Sequence, residues 1–338
     1  MFTELKKLID GYTAKFPIGA ISAGVTDREK LLCAYSKGNL RYGENSKKVD
    51  ENTLFRIASI SKIVTGLALY KLVDQGLIDI DKNVSEYIPW LDKANGNMTI
   101  KKLLSHTAGL PVEYTPDGPR DESLLEKSLM DELSKVNLGA IQDKSDYLYS
   151  NLGIRLASLV MEKVTGEGFT SLAQKLVLDP LGMTDTTYFL DKAIQKDLCY
   201  PCDIVEGKLS LHEKTWENAV RYSAGGLFST IIDLSRLARF ILNEKSDNGE
   251  KIISDNSFSI IKSKIAKDKK FDCDYYGQTM MSKERGNLTL VGHLGGAPPY
   301  ATALFTAGDI GVILLMNTYH SELRLEIVQK IFDLFYKN

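Results

Sequence analysis

The spacing of apolar positions changes several times along the chain, and each change predicts an element. The opening segment, MFTELKKLIDGYTAKFP, sets apolar among charged residues at helical spacing. Over 20–26 and 31–36 the pattern becomes apolar and small polar residues in alternation around Asp27-Arg28-Glu29-Lys30, which predicts an antiparallel hairpin. From 59 to 75 the helical period returns. Ile60, Ile63, Val64, Leu67, Ala68 and Val73 cover most of the circumference and Gly76 stands where a helix would end, so this helix belongs in the core. The stretch from about 81 to 265 reads as mainly helical with many loops, with i, i+3, i+4 apolar spacing over 100–104, 121–133, 152–164 and 229–242. Strands return at 288–293, 300–306 and 310–316, the last two joined by Ala307-Gly308-Asp309, and an amphipathic helix over 322–335 closes the chain.

Strands at both ends around a helical middle, mostly linked by short turns, predict an α/β fold of the α+β type. One antiparallel sheet is built from both chain ends and flanked by helices, with a helical subdomain inserted beside it. A chain of 338 residues accommodates this as a single catalytic domain. Residues 1–80 and 266–338 would form its sheet-containing part and 81–265 its mainly helical part, with a cleft between them.

Composition narrows the function classes. With 43% hydrophobic and 25% charged residues and a net charge of -2, the chain is an ordinary globular protein without bulk attraction for nucleic acid or anionic membrane. The lysine-rich stretch 262–270 reads as a solvated face or loop. No apolar run approaches the roughly 20 residues that span a bilayer, and the first residues lack the uninterrupted apolar stretch of a signal peptide, so a cytoplasmic location is expected. The cysteines, Cys33, Cys199, Cys202 and Cys273, make no disulfide framework and suit a reducing compartment. Cys199-Tyr-Pro-Cys202 lacks the helix start of a redox motif and the further ligands of a zinc site, and His106 and His212 lack metal-binding spacing. Neither a metal nor another cofactor is expected.

Three clusters carry candidate chemistry. Ser59-Ile-Ser-Lys62 opens the buried helix, and residues three apart share a helix face, so Ser59 Oγ and the Lys62 ammonium can meet. A lysine desolvated there can have its pKa lowered enough to accept the serine proton, and free N–H groups at the helix start favour a negatively charged intermediate. Tyr149-Ser150-Asn151 precedes the helix over 152–164. A tyrosine beside a lysine can be stabilised as phenolate and act as general base, while Asn151 offers an amide to an incoming carbonyl and N–H, or simply caps the helix. Val291-Gly-His293-Leu-Gly295-Gly296 ends a strand. Its glycines let a substrate lie along the strand edge, the Gly296 N–H is placed to join that of Ser59 as an oxyanion hole, and His293 is a candidate to orient Tyr149 or a substrate carboxylate, or is a satisfied histidine beside a turn.

In this order, and on these element types, the three clusters resemble the active-site motifs of the serine β-lactamase and penicillin-binding-protein superfamily. The resemblance is to its class C β-lactamase-related family, which includes D-alanyl-D-alanine carboxypeptidases, D-aminopeptidases and esterases. Leu103-Leu-Ser-His106-Thr-Ala-Gly-Leu-Pro111 is similar to that family's L-L-x-H-T-S-G-L, Pro180-Leu-Gly-Met183 to its P-L-G-M, and Ala224-Gly-Gly-Leu-Phe-Ser-Thr230 to its A-G-G-L-x-S-T. The resemblance implies that Ser59 is the acyl-enzyme nucleophile, that Lys62 and Tyr149 share acid and base duty, that Asn151 binds the substrate amide, and that Ser59 and Gly296 form the oxyanion hole. The substrate would be a small ester, amide or D-amino-acid peptide. His293 stands where true β-lactamases have a lysine that grips a carboxylate, which weighs against efficient antibiotic hydrolysis. Two other readings stay open, a β-lactamase or penicillin-binding DD-peptidase, and a binding or sensor protein of the same fold that is acylated without turnover. The walls of the substrate pocket are assigned to loops at 112–119 and 196–216, and oligomeric state is not written in the pattern.

Overall fold

The computed structural model describes residues 1–91, 98–111, 118–136, 147–212, 214–215, 217–268 and 270–336. At its centre, β1 (Ala20–Thr26) and β2 (Leu31–Gly38) form the expected hairpin. Its turn is closed by the Asp27 carboxylate, which accepts from the backbone N–H groups of Glu29 and Lys30. Six further strands come from the other end of the chain: β3 (Ala266–Lys267), β4 (Tyr275–Tyr276), β5 (Met281–Arg285), β6 (Leu288–Ala297), β7 (Tyr300–Ala307) and β8 (Ile310–Met316). All pair antiparallel in the order β2-β1-β8-β7-β6-β5-β4-β3, so the hairpin from the amino end docks on the last strand of the chain. Ala23 lies opposite Leu314 at that junction.

The run that is β8 shows why the sheet is central. Every residue of Ile310–Met316 is buried, and the two-residue period sends Val312, Leu314 and Met316 to one face and Ile313 and Leu315 to the other. The first face is covered by α1 (Phe2–Lys15), through Leu5 and Ile9, and by α5 (Leu323–Phe332), through Leu325, Ile327, Val328 and Ile331. On the second face lies the helical body, including α2 (Ser61–Asp74), α3 (Asn151–Thr165) and α4 (Ile231–Asn243). α2 is apolar around its whole circumference and is packed on all sides, and Gly76, with φ of 74°, turns the chain out of it.

Some elements differ from the sequence expectation. The α-helix predicted from residue 59 begins at Ser61, and Ala58–Ile60 form a single 3₁₀ turn before it. β6 runs to Ala297, four residues past the predicted end, because its small residues permit close approach to the second face. The short strands β3 and β4 and the hairpin Cys202–Val205 with Lys208–Leu211 are additional. Cys202 opens a strand, not a helix, and all four cysteines are free thiols. Among the described residues no helix is long and apolar enough to cross a membrane.

Candidate active site

The turn that carries Ser59 is clamped from both sides. Phe55–Arg56 pairs with Phe228–Ser229, and Ile57 N–H donates to Leu227 O at 2.9 Å. From the sheet, Thr302 Oγ1 donates to Ile57 O at 2.9 Å, and Ser61 Oγ donates to Ala58 O at 2.7 Å. Between them Ala58 is held at φ of 49°, a left-handed conformation that costs a non-glycine residue on the order of 1–3 kcal/mol and persists only where surroundings enforce it. The result is selective exposure. Of residues 53 to 70, Ser59 alone is not buried.

Lys62 lies one turn on, fully buried in α2. Its Nζ donates to Ser59 Oγ at 2.9 Å, to Asn151 Oδ1 at 2.8 Å and to Ala224 O at 2.5 Å, three oxygens for the three donors of an ammonium. The Ala224-Gly225-Gly226-Leu227 segment thus supplies one ligand to Lys62 and the backbone partner of Ile57. Tyr149 OH also donates to Ser59 Oγ, at 2.9 Å, and the Lys62 ammonium sits 5.0 Å from the centre of its ring. Burial pushes the Tyr149 phenol well above its ordinary pKa, and the bond to Ser59 only partly offsets that, which favours the neutral phenol at rest. Asn151 begins α3, and the helix is capped instead by Ser150, whose side chain accepts from Gly153 N–H.

β6 completes the arrangement. β5 pairs with it only as far as Gly292, so among the described residues 293–297 have no strand on that edge, and this free edge runs beside Ser59. Gly295 faces the nucleophile turn: a Cβ there would lie 2.3 Å from Ile57 O and 1.9 Å from Thr302 Oγ1, so only glycine lets the strand lie this close. Gly295 therefore shapes the site without lining it. Gly296 borders the cleft on both sides of Ser59. His293 points inward. Its Nδ1–H donates to Leu294 O at 2.6 Å, which leaves Nε2 to accept from Tyr276 OH at 3.0 Å. Burial and the nearby Lys62 charge drive its pKa down to about 3. It is a neutral, satisfied core histidine that lines neither cavity beside Ser59, so the expectation that it grips a substrate carboxylate is not met by the geometry.

Other cations border the cleft. A cavity of about 340 Å³ beside Ser59 and Tyr149 is bordered by Lys270 and Arg324, and a smaller one of about 50 Å³ on the other side of Ser59 by Arg56 and Arg221. No carboxylate is among the described residues lining either. Arg324 is 4% exposed and its Nη1 donates to Gly295 O at 2.6 Å, tying α5 to β6. Its signal in the sequence was an arginine on the apolar stripe of an amphipathic helix, between Leu323 and Leu325 and one turn before Ile327 and Val328. Lys270 lies within the lysine-rich stretch read as solvated, and no pattern there distinguished it. The loops assigned to the pocket walls fall in part outside the described residues, at 112–117, 213 and 216.

A family model described as Beta-lactamase matches residues 5–333. Beta-lactamase-like protein 2 of Dictyostelium discoideum is 29% identical over 263 residues, covering 73% of this chain and 46% of that protein. D-alanyl-D-alanine-carboxypeptidase/endopeptidase AmpH of Escherichia coli K12 is 28% identical over 242 residues, covering 68% of this chain and 60% of that protein. The chain thus spans under half the length of the first relative and three fifths of the second. Among solved structures, D-amino acid amidase from Ochrobactrum anthropi SV3 superposes with a TM-score of 0.82 over 99% of both chains at 18% identity, a likeness of fold.

Proposed function

The chain belongs to the Beta-lactamase family, and from that premise we propose that it is a serine hydrolase acting through an acyl-enzyme on Ser59. The observation that carries this reading is Ser59 Oγ, held on an enforced turn at the cleft with Lys62 Nζ and Tyr149 OH each 2.9 Å away. In the proposed step Ser59 Oγ attacks the substrate carbonyl carbon. As the Tyr149 O–H turns from Ser59 toward the leaving group, the Ser59 proton passes to the Tyr149 oxygen and the phenol's own proton goes to the leaving group, so tyrosine acts as a relay and bears no full charge. That role suits a phenol kept neutral by burial. The Lys62 ammonium stabilises the partial negative charge on both oxygens. The Ser59 and Gly296 N–H groups receive the carbonyl oxygen, Asn151 holds the substrate amide, and the bond to the leaving group breaks to give the ester on Ser59, which water then hydrolyses.

The substrate class we propose is a small ester, amide or D-amino-acid peptide bearing a carboxylate. Cations without a lining carboxylate support the charge, and the names of the carboxypeptidase relative and the amidase structure support the amide or peptide. Arg324 and Lys270 also keep a penicillin, itself a carboxylate, within the second reading, β-lactam recognition. Four free thiols favour a cytoplasmic setting. The test is steady-state turnover of p-nitrophenyl acetate. Wild type is expected to turn over continuously, Tyr149→Phe to fall roughly 10²- to 10⁴-fold, and Ser59→Ala to lose the activity. A single stoichiometric burst would replace the enzyme with a protein acylated once, and full turnover in Ser59→Ala would contradict the assignment.

A further inference from the structure

Tyr149 lies in an extended segment between Tyr147 and α3, where neither helix nor strand fixes the backbone. One residue binds the peptides on both sides of it. The peptide N–H on one side of Tyr149, that of Leu148, donates to His106 O at 2.8 Å, and the N–H on the other side, that of Ser150, donates to His106 Nδ1 at 3.2 Å. The His106 ring lies against the phenol between these two bonds, ring centres 4.3 Å apart. Tyr276 also packs against the imidazole, ring centres 4.6 Å apart, and lies 6.1 Å from the Tyr149 ring. His106 itself is held at φ of 59°, in the left-handed region.

We propose that His106 is a positioning residue that clamps the Tyr149 phenol at hydrogen-bonding distance from Ser59, using its backbone carbonyl, its Nδ1 and its ring face together. The proposal rests on the proton-relay reading of Tyr149 above. Because Nδ1 accepts, the imidazole must be the neutral tautomer with its proton on Nε2. Burial, and the nearby positive charges of Lys62 and Lys270, favour that neutral form. A protonated ring would turn Nδ1 into a donor pointing at the Ser150 N–H and open the clamp. Few side chains meet all these requirements. Asparagine keeps the polar part of the clamp, because it tolerates left-handed backbone and can place Oδ1 where Nδ1 now lies, whereas glutamine carries its oxygen one bond too far.

The experiment is a double-mutant cycle on the rate at which a fluorophosphonate labels the full chain. His106→Gln is expected to slow labelling on the order of 10- to 100-fold, since a reacting group is displaced. In a Tyr149→Phe background, where no hydroxyl is left to position, the same substitution is expected to cost less than about threefold. His106→Asn should label within about threefold of wild type, also when His106→Gln proves too unstable to purify. Equal losses in both backgrounds, or His106→Asn as slow as His106→Gln, would overturn the clamp alone. A wild type that never labels at Ser59 would overturn the relay reading and the clamp with it.

Discussion

Around Lys62 Nζ the oxygens of Ser59, Asn151 and Ala224 converge on one point, a geometry for a compact ammonium. Arginine spreads its donors over a planar fork and cannot reproduce it. Lys62→Arg is therefore expected to be as damaging to acylation as Lys62→Met, with loss of at least about 10²-fold in single-turnover labelling for both. Arg324 makes a different prediction. If it receives a substrate carboxylate, Arg324→Gln, which removes the charge, is expected to raise KM for p-nitrophenyl hemisuccinate roughly 10- to 100-fold, the worth of one charge-assisted hydrogen bond. KM for neutral p-nitrophenyl acetate is expected to change little. Equal shifts for both esters would mean that Arg324 supports the fold of the site and not the charge of the substrate.

At the level of elements, the site depends on the close approach of β6 to the Ser59 turn. Gly295→Ala forces a methyl group into Ile57 O and Thr302 Oγ1, both held by other bonds, and is expected to remove esterase activity and lower the melting temperature. Ser150 caps α3 and also donates to Pro111 O at 2.8 Å, so Ser150→Ala is expected to destabilise by about 1–2 kcal/mol, measured by urea denaturation. The elements most legible in the sequence were those with many residues at one period. The hairpin 20–36, β8, α2 and α3 all follow from alternation or helical spacing, since burial on one or two faces imposes it. Two-residue strands such as β3 and β4 carry no period, and the 3₁₀ turn at Ser59 is set by tertiary bonds to Leu227 and Thr302 that no local pattern encodes. The same distinction holds in the site. Ser59 and Lys62 come together at the start of one readable helix and Asn151 opens another, while Tyr149 is brought in by the extended segment before it. His293 was misjudged because its strand position looks open in sequence and is closed by Tyr276, 17 residues away.

Over the whole molecule, two buried imidazoles couple stability to pH. His293 and His106 are both held below the ordinary histidine pKa of 6.5, His293 at about 3. Between those values the unfolded chain takes up protons that the folded one refuses, so their contribution is complete above about pH 6.5 and is lost as pH falls toward 3. One such histidine accounts for on the order of 1–4 kcal/mol over that window. The melting temperature is expected to fall steadily from pH 7 to pH 4, and His293→Gln, though less stable at pH 7, to show a shallower fall. An unchanged slope in that variant would place the acid sensitivity elsewhere.

The central claim is that Ser59 is the atom acylated, and the most direct measurement is mass spectrometry of the protein after reaction with a fluorophosphonate. The account predicts a single adduct, located by peptide mapping on the segment containing Ser59, absent in Ser59→Ala and much slower to form in Tyr149→Phe. An adduct on any other residue, or one that forms equally in Ser59→Ala, would contradict it.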